Sequence, residues 1–100
     1  MLDTIELVRF RLQEGKTREE WLTANEAINS WTQQQPGFRF RSLSESEDGE
    51  WIDMIYWESR DAAEAASKKF EAEMLEVCIP IIAPESVVIS HSTAHVMQRG

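Results

Sequence analysis

Trp51-Ile-Asp-Met-Ile-Tyr-Trp57 is a run of aromatic and branched side chains of the kind that suits a pleated, packed strand. Alternation sends Trp51, Ile55 and Trp57 to one side and Ile52, Met54 and Tyr56 to the other, so both faces of this strand are apolar. Upstream, Phe38-Arg-Phe-Arg41 alternates in the same way, and Asp48-Gly49 lies between the two runs. The pair reads as a β-hairpin. A two-residue turn of primed type at Asp48-Gly49 sets Phe40 opposite Trp57, Arg41 opposite Tyr56 and Arg39 opposite Glu58. A longer loop through Glu45 to Glu50 shifts that register.

Working outward, Thr4 to Leu12 places Val8, Phe10 and Leu12 at period two with Arg9 and Arg11 between them, a half-buried first strand. Thr17-Arg-Glu-Glu20 has the spacing of a capping box and opens a helix. Trp21, Ala24, Ile28 and Trp31 form its apolar stripe, and Pro36-Gly37 ends it. After the hairpin, Ser59 caps a second helix through Ala62, Ala63, Ala65, Ala66 and Phe70, whose small residues permit close approach to a sheet. Met74 to Ala83, interrupted by Pro80 and followed by Pro84, reads as a short helical turn or ordered connection. Val87-Val-Ile89 begins a last strand that is expected to extend towards Val96.

The order strand, helix, strand, strand, helix, strand predicts an α+β, ferredoxin-like βαββαβ fold in one domain over residues 1–100, a four-stranded antiparallel sheet with helices on one face. Two helices cover one side of the sheet only. The second apolar side, with Ile52, Met54 and Tyr56, calls for a homodimer in which another copy supplies the cover.

Composition narrows the functional classes. Eighteen acids against ten Lys and Arg give a net charge of −8, which repels a phosphate backbone, so nucleic acid is not expected as a partner. Cys78 is the only cysteine, which excludes an internal disulfide or a thiolate cluster and fits a reducing, cytoplasmic setting. Asp3 and Glu6 interrupt the first residues, and no basic leader precedes an unbroken apolar run, so neither a signal peptide nor a membrane anchor is expected. No Gly-x-Ser-x-Gly elbow, phosphate-cradling glycine loop or dinucleotide fingerprint occurs. The acids Glu45, Glu47, Asp48 and Glu50 lack calcium-loop spacing and read as a solvated hairpin tip.

Met54-Ile-Tyr-Trp-Glu-Ser59 leading into an alanine-rich helix, Pro36-Gly37-Phe38 after the first helix, and Pro84-Glu-Ser-Val-Val-Ile-Ser-His91 at the last strand resemble the dimeric α/β-barrel superfamily, and within it the antibiotic-biosynthesis-monooxygenase-like proteins. The resemblance implies two sheets closing into a shared barrel, with a pocket in each subunit between sheet and helices. It also implies cofactor-independent oxygenation of an aromatic or phenolic substrate, with no cofactor and no metal. The alternative is a non-catalytic homodimeric binding or interaction module. Haem-degrading members carry Trp and His on the second helix, where this chain has Ala65, Ala66 and Ser67 and later Glu76. Trp57 stands where a strand-end tryptophan of the family falls.

Several residues are candidates for chemistry. His91 and His95 are the only histidines, and His91 is the candidate acid–base group, or else a structural histidine at the core rim. Four residues apart on a strand, the two lie roughly 13 Å apart, too far to share one metal ion. Trp57 and Phe40 are candidate walls for a planar ligand, or ordinary core. Asn25, one turn after Trp21, is positioned to aim its amide at the same cavity or at solvent. Tyr56 and Arg41 together suit a phenolate, with Tyr56 as a second catalytic candidate, or form a structural cross-strand pair. Cys78, among Leu75, Val77, Ile79 and Ile81, is expected to be a buried, inert thiol.

Overall fold

The capping box predicted at Thr17 is complete in the computed structural model, which describes residues 2–100: the Thr17 hydroxyl accepts from the Glu20 N–H and the Glu20 carboxylate accepts from the Thr17 N–H. From there α1 runs Arg18–Gln33 and buries Trp21, Asn25, Ile28 and Thr32, one stripe at three- and four-residue steps. The remaining elements are β1 (Thr4–Phe10), β2 (Phe38–Glu45), β3 (Trp51–Trp57), α2 (Arg60–Glu73), the short α3 (Leu75–Cys78), a 3₁₀ turn at Pro84–Ser86 and β4 (Val88–Thr93). All strand pairs are antiparallel, in the order β2-β3-β1-β4, and the helices pack on one face. This is the α+β ferredoxin-like architecture expected from the element order.

The hairpin register differs from the two-residue-turn expectation by one residue. Phe40 pairs with Tyr56 and Arg41 with Ile55, instead of Trp57 and Tyr56. The reason lies in the turn. Ser46 and Gly49 close it, the Gly49 N–H donating to the Ser46 carbonyl at 3.0 Å, and the Ser46 N–H donates to the Glu50 carbonyl at 2.8 Å. Gly49 takes φ +89°, so Asp48-Gly49 forms the second half of a three-residue loop with a left-handed glycine. A shift of one residue exchanges faces. Arg41 therefore turns towards the helices and Phe40 away from them. An irregularity between Phe38 and Phe40 returns Phe38 to the inner face, where its ring meets Trp57 edge-on at 5.9 Å.

Two apolar clusters fill the space under the helices. One joins Phe10, Trp21, Ile28, Trp51, Cys78 and Ile81, and the other joins Ile55, Trp57, Ala63 and Ala66. Small side chains let α2 sit close to the sheet. At Gly37 a Cβ would lie 2.7 Å from that of Ala62, and the Gly37 carbonyl accepts from the Glu58 N–H at 2.8 Å, which pins the end of β3. The opposite face of the sheet carries Leu7, Phe40, Ile52, Met54, Tyr56 and Val88, none of them fully buried. Among the described residues no helix is long and apolar enough to cross a membrane.

Candidate functional site

A cavity of about 310 Å³ lies between the inner face of the sheet and the helices. Its lining is mostly apolar and aromatic: Phe10 and Val8 of β1, Trp21, Ile28 and Trp31 of α1, Ile55 and Trp57 of β3, and Phe70 of α2. That volume and lining fall in the range of small-molecule sites. The segment after α3 is held over it because the Ala83 N–H donates to the Arg11 carbonyl and the Gln13 amide donates to the carbonyls of Ile79 and Ile82. Leu75, Ile79, Val87 and Ile89 line the cavity yet remain exposed, and they mark its mouth.

The strand registers put four side chains in one row across the inner face: His91 of β4, Glu6 of β1, Ile55 of β3 and Arg41 of β2. Glu6 is 8 % exposed, and its Oε1 accepts the indole N–H of Trp57 at 3.0 Å. Burial pushes its carboxyl above the ordinary glutamate value, with hydrogen bonding from Trp57 and the charge of His91 opposing this in part. His91 is half-buried and lies beside Glu6 rather than on the cavity wall; its Nε2 is buried without a partner among the described residues. The indole N–H of Trp21, on the cavity wall, likewise has no partner among them.

At the other end of the row Arg41 makes a bidentate pair with Asp53, Nε to Oδ1 at 3.0 Å and Nη2 to Oδ2 at 2.9 Å. Asn25 and Asn29 of α1 accept from the same guanidinium, each at 2.7 Å. Both charged side chains are largely buried, so this is a polar network that runs from the core to the exposed Asn29. Cys78 also lines the cavity, and burial pushes its thiol up to about 11, which keeps it protonated and unreactive at neutral pH.

Of the residues singled out from the sequence, Trp57 and Arg41 line the cavity and Asn25 reaches it through Arg41. His91 stands one residue behind the wall. Phe40 and Tyr56 pack edge-to-face at 6.0 Å on the other side of the sheet, away from this cavity, as the one-residue change of register requires. Glu6 and Asp53 were not singled out. Each occupies an inward position of an alternating strand, Glu6 two residues before Val8 and Asp53 between Trp51 and Ile55, and an acid in such a position is the signal that marks them.

Solved structures with this fold cover the whole chain. The monooxygenase from the ActVA-Orf6 gene of Streptomyces coelicolor, solved in complex with nanaomycin D, superposes with a TM-score of 0.76 at 17% identity over 99% of this chain and 93% of its own. SnoaB, a cofactor-independent oxygenase from Streptomyces nogalater, gives 0.67 at 16% identity over 99% and 97%. NE2512 of Nitrosomonas europaea, a protein of unknown function, gives 0.80 at 8% identity over 100% and 96%. The fold is thus the one found in antibiotic-biosynthesis-monooxygenase-like proteins. No protein-family model and no curated protein matches the sequence.

Proposed function

We propose that the cavity binds a hydrophobic, aromatic small molecule and that the chain oxygenates a phenolic substrate without a cofactor. The observation that carries this reading is the space beside Trp57: a core of this size would ordinarily be filled, and here aromatic walls enclose room for a planar ligand with polar groups at a few points. The fold likeness to two described oxygenases, one with a bound nanaomycin D, supports it as analogy. In such a reaction a base removes the phenolic proton, and the electron-rich anion gives electrons to dioxygen. One oxygen atom enters the ring, the other leaves as water, and the phenol becomes a quinone. The inner-face row supplies the base from its neighbours Glu6, on the cavity wall, and His91, behind it, while Arg41 is held by Asp53 and belongs to the framework.

Anthrone, whose enol form is a phenol, tests the reading. Saturable quenching of tryptophan fluorescence is expected, because Trp21, Trp31 and Trp57 line the cavity, together with uptake of one dioxygen per anthraquinone formed. Saturable quenching without uptake would favour the non-catalytic binding module, and no quenching would refute the cavity reading altogether.

The outer face of the sheet supports a homodimer, with Phe40, Tyr56, Met54 and Val88 covered by a second copy, and the single Cys78 fits a reducing, cytoplasmic setting. Light scattering at micromolar concentration should give twice the chain mass of 11.6 kDa, and a monomer mass across that range would overturn the dimer.

A further inference from the structure

The ionisable groups that line the cavity are few, and their surroundings separate them. Arg41 and Asp53 neutralise each other in a bidentate pair, Glu71 is exposed at the margin, and the thiol of Cys78 is held protonated. Glu6 remains. Its carboxylate is buried on the floor of the cavity, and no Lys or Arg bonds to it. One oxygen accepts the Trp57 N–H and the Ser67 hydroxyl is a second donor beside the carboxylate, whereas an ionised carboxylate has about four acceptor positions. It therefore keeps acceptor capacity, and the one basic group beside it is His91, with no guanidinium or ammonium paired to it. A group in that state gains most from an O–H donor placed against it.

We propose that Glu6 is the proton acceptor of the cavity, and that the ligand it selects is an uncharged hydroxyarene whose O–H lies against this carboxylate. This deepens the cavity reading above and rests on it. In the transfer the ligand O–H bond breaks, a new O–H bond forms on Glu6, and the electron pair stays on the ligand oxygen as a phenolate. Trp57 holds the carboxylate in place through its N–H while its ring forms the adjoining wall. Ile55, next in the row, gives the aromatic ring an apolar floor beside the acid. Ligands that arrive as anions are disfavoured, because the wall offers an acid and an already neutralised arginine.

Three probes of similar shape separate the steps: 2-naphthol, 2-methoxynaphthalene, which lacks the proton, and 2-naphthoate, which carries a charge. The wild-type chain should bind 2-naphthol about tenfold more tightly than the methoxy compound, the size of one hydrogen bond to a charged acceptor, and should bind naphthoate least. In Glu6→Gln, with the fold checked by circular dichroism, the advantage of 2-naphthol should disappear while the methoxy compound still binds. An unchanged advantage in the folded variant would overturn the role of Glu6 and leave the cavity standing. If no probe binds the wild type, the cavity reading fails and this proposal with it.

A second measurement starts from the wild type and is repeated in two variants. Excited 2-naphthol is a far stronger acid than the ground state, so bound probe beside a carboxylate should emit as naphtholate, and that emission should grow as pH rises above the ordinary glutamate value and Glu6 ionises. The groups facing Glu6 are His91 from β4, Trp57 and Asp53 from β3 and Ser67 from α2, and His91 and Asp53 are the ionisable ones among these. Emission independent of pH, or the same profile in His91→Gln and in Glu6→Gln, would overturn the assignment.

Discussion

Asp53 and Glu6 are acids on the same face of adjacent strands, and the fold treats them in opposite ways. Asp53 meets a guanidinium through both oxygens, and two asparagines of α1 occupy further N–H groups of that guanidinium. Glu6 meets two neutral donors, the Trp57 indole N–H and the Ser67 hydroxyl, and stands across from His91, with no guanidinium or ammonium bonded to it. A buried charge that is paired and fully hydrogen-bonded is part of the framework, because it has little left to give a ligand. A buried acid that is only half satisfied stays responsive to whatever enters the cavity. The difference assigns structure to Asp53 and chemistry to Glu6.

The comparison breaks most visibly at Asp53. Asp53→Ala leaves the Arg41 guanidinium, 7 % exposed, without its counter-charge, and removing one partner of a buried pair costs about 3–5 kcal/mol. Urea unfolding at neutral pH should show that loss. Replacing both partners by apolar residues, Arg41→Met with Asp53→Leu, should recover most of it, since no orphaned charge then remains. A loss below about 1 kcal/mol in Asp53→Ala would mean that the pair behaves like a surface ion pair and that the contrast with Glu6 is not one of compensation.

Much of the frame that positions these acids can be read from the sequence, because each element carries its own local signal. Thr17 and Glu20 mark the start of α1, Ser59 that of α2, and the alternation in β1 and β3 marks their faces. Register is different in kind. The choice between a two-residue and a three-residue loop at Ser46 to Glu50 turns on one glycine φ angle, and it moves Arg41 from one side of the sheet to the other. The candidate site inherits that sensitivity: Trp57 follows from alternation alone, whereas Phe40 and Arg41 exchange sides with the loop. Glu6 holds an inward position of β1, but the alternation that marks this face is carried by its apolar residues and says nothing of the acid among them. His91 drew attention because its residue type is reactive, while burial, which depends on the whole tertiary arrangement, is what makes Glu6 the perturbed group.

The smallest expected effect is also the most diagnostic of the contrast: the pH dependence of stability at Glu6. Its folded carboxyl binds a proton more tightly than the unfolded one, so between about pH 4.3, the ordinary glutamate value, and its raised folded value the native state holds more protons than the unfolded state. With more protons on the native side, stability falls as pH rises through that window. The favourable contribution is fully present below the unfolded value and is lost above the folded one. Glu6→Gln cannot lose a proton and keeps an oxygen for the Trp57 N–H. Relative to wild type, the variant should therefore gain stability as pH rises through the window, with the difference level on either side. Taking the difference cancels groups remote from Glu6, including Asp48, whose carboxyl is lowered to about 2 by its bonds to Ser46, Glu50 and Arg11 and whose effect runs the other way. His91 and Asp53 do not cancel fully, since both act on Glu6 through their charge, so the same curves in a His91→Gln background are needed to separate that coupling. A difference that is flat from about pH 4 to about pH 8 in both backgrounds would show Glu6 to be as well compensated as Asp53, and the distinction between the two acids would be lost.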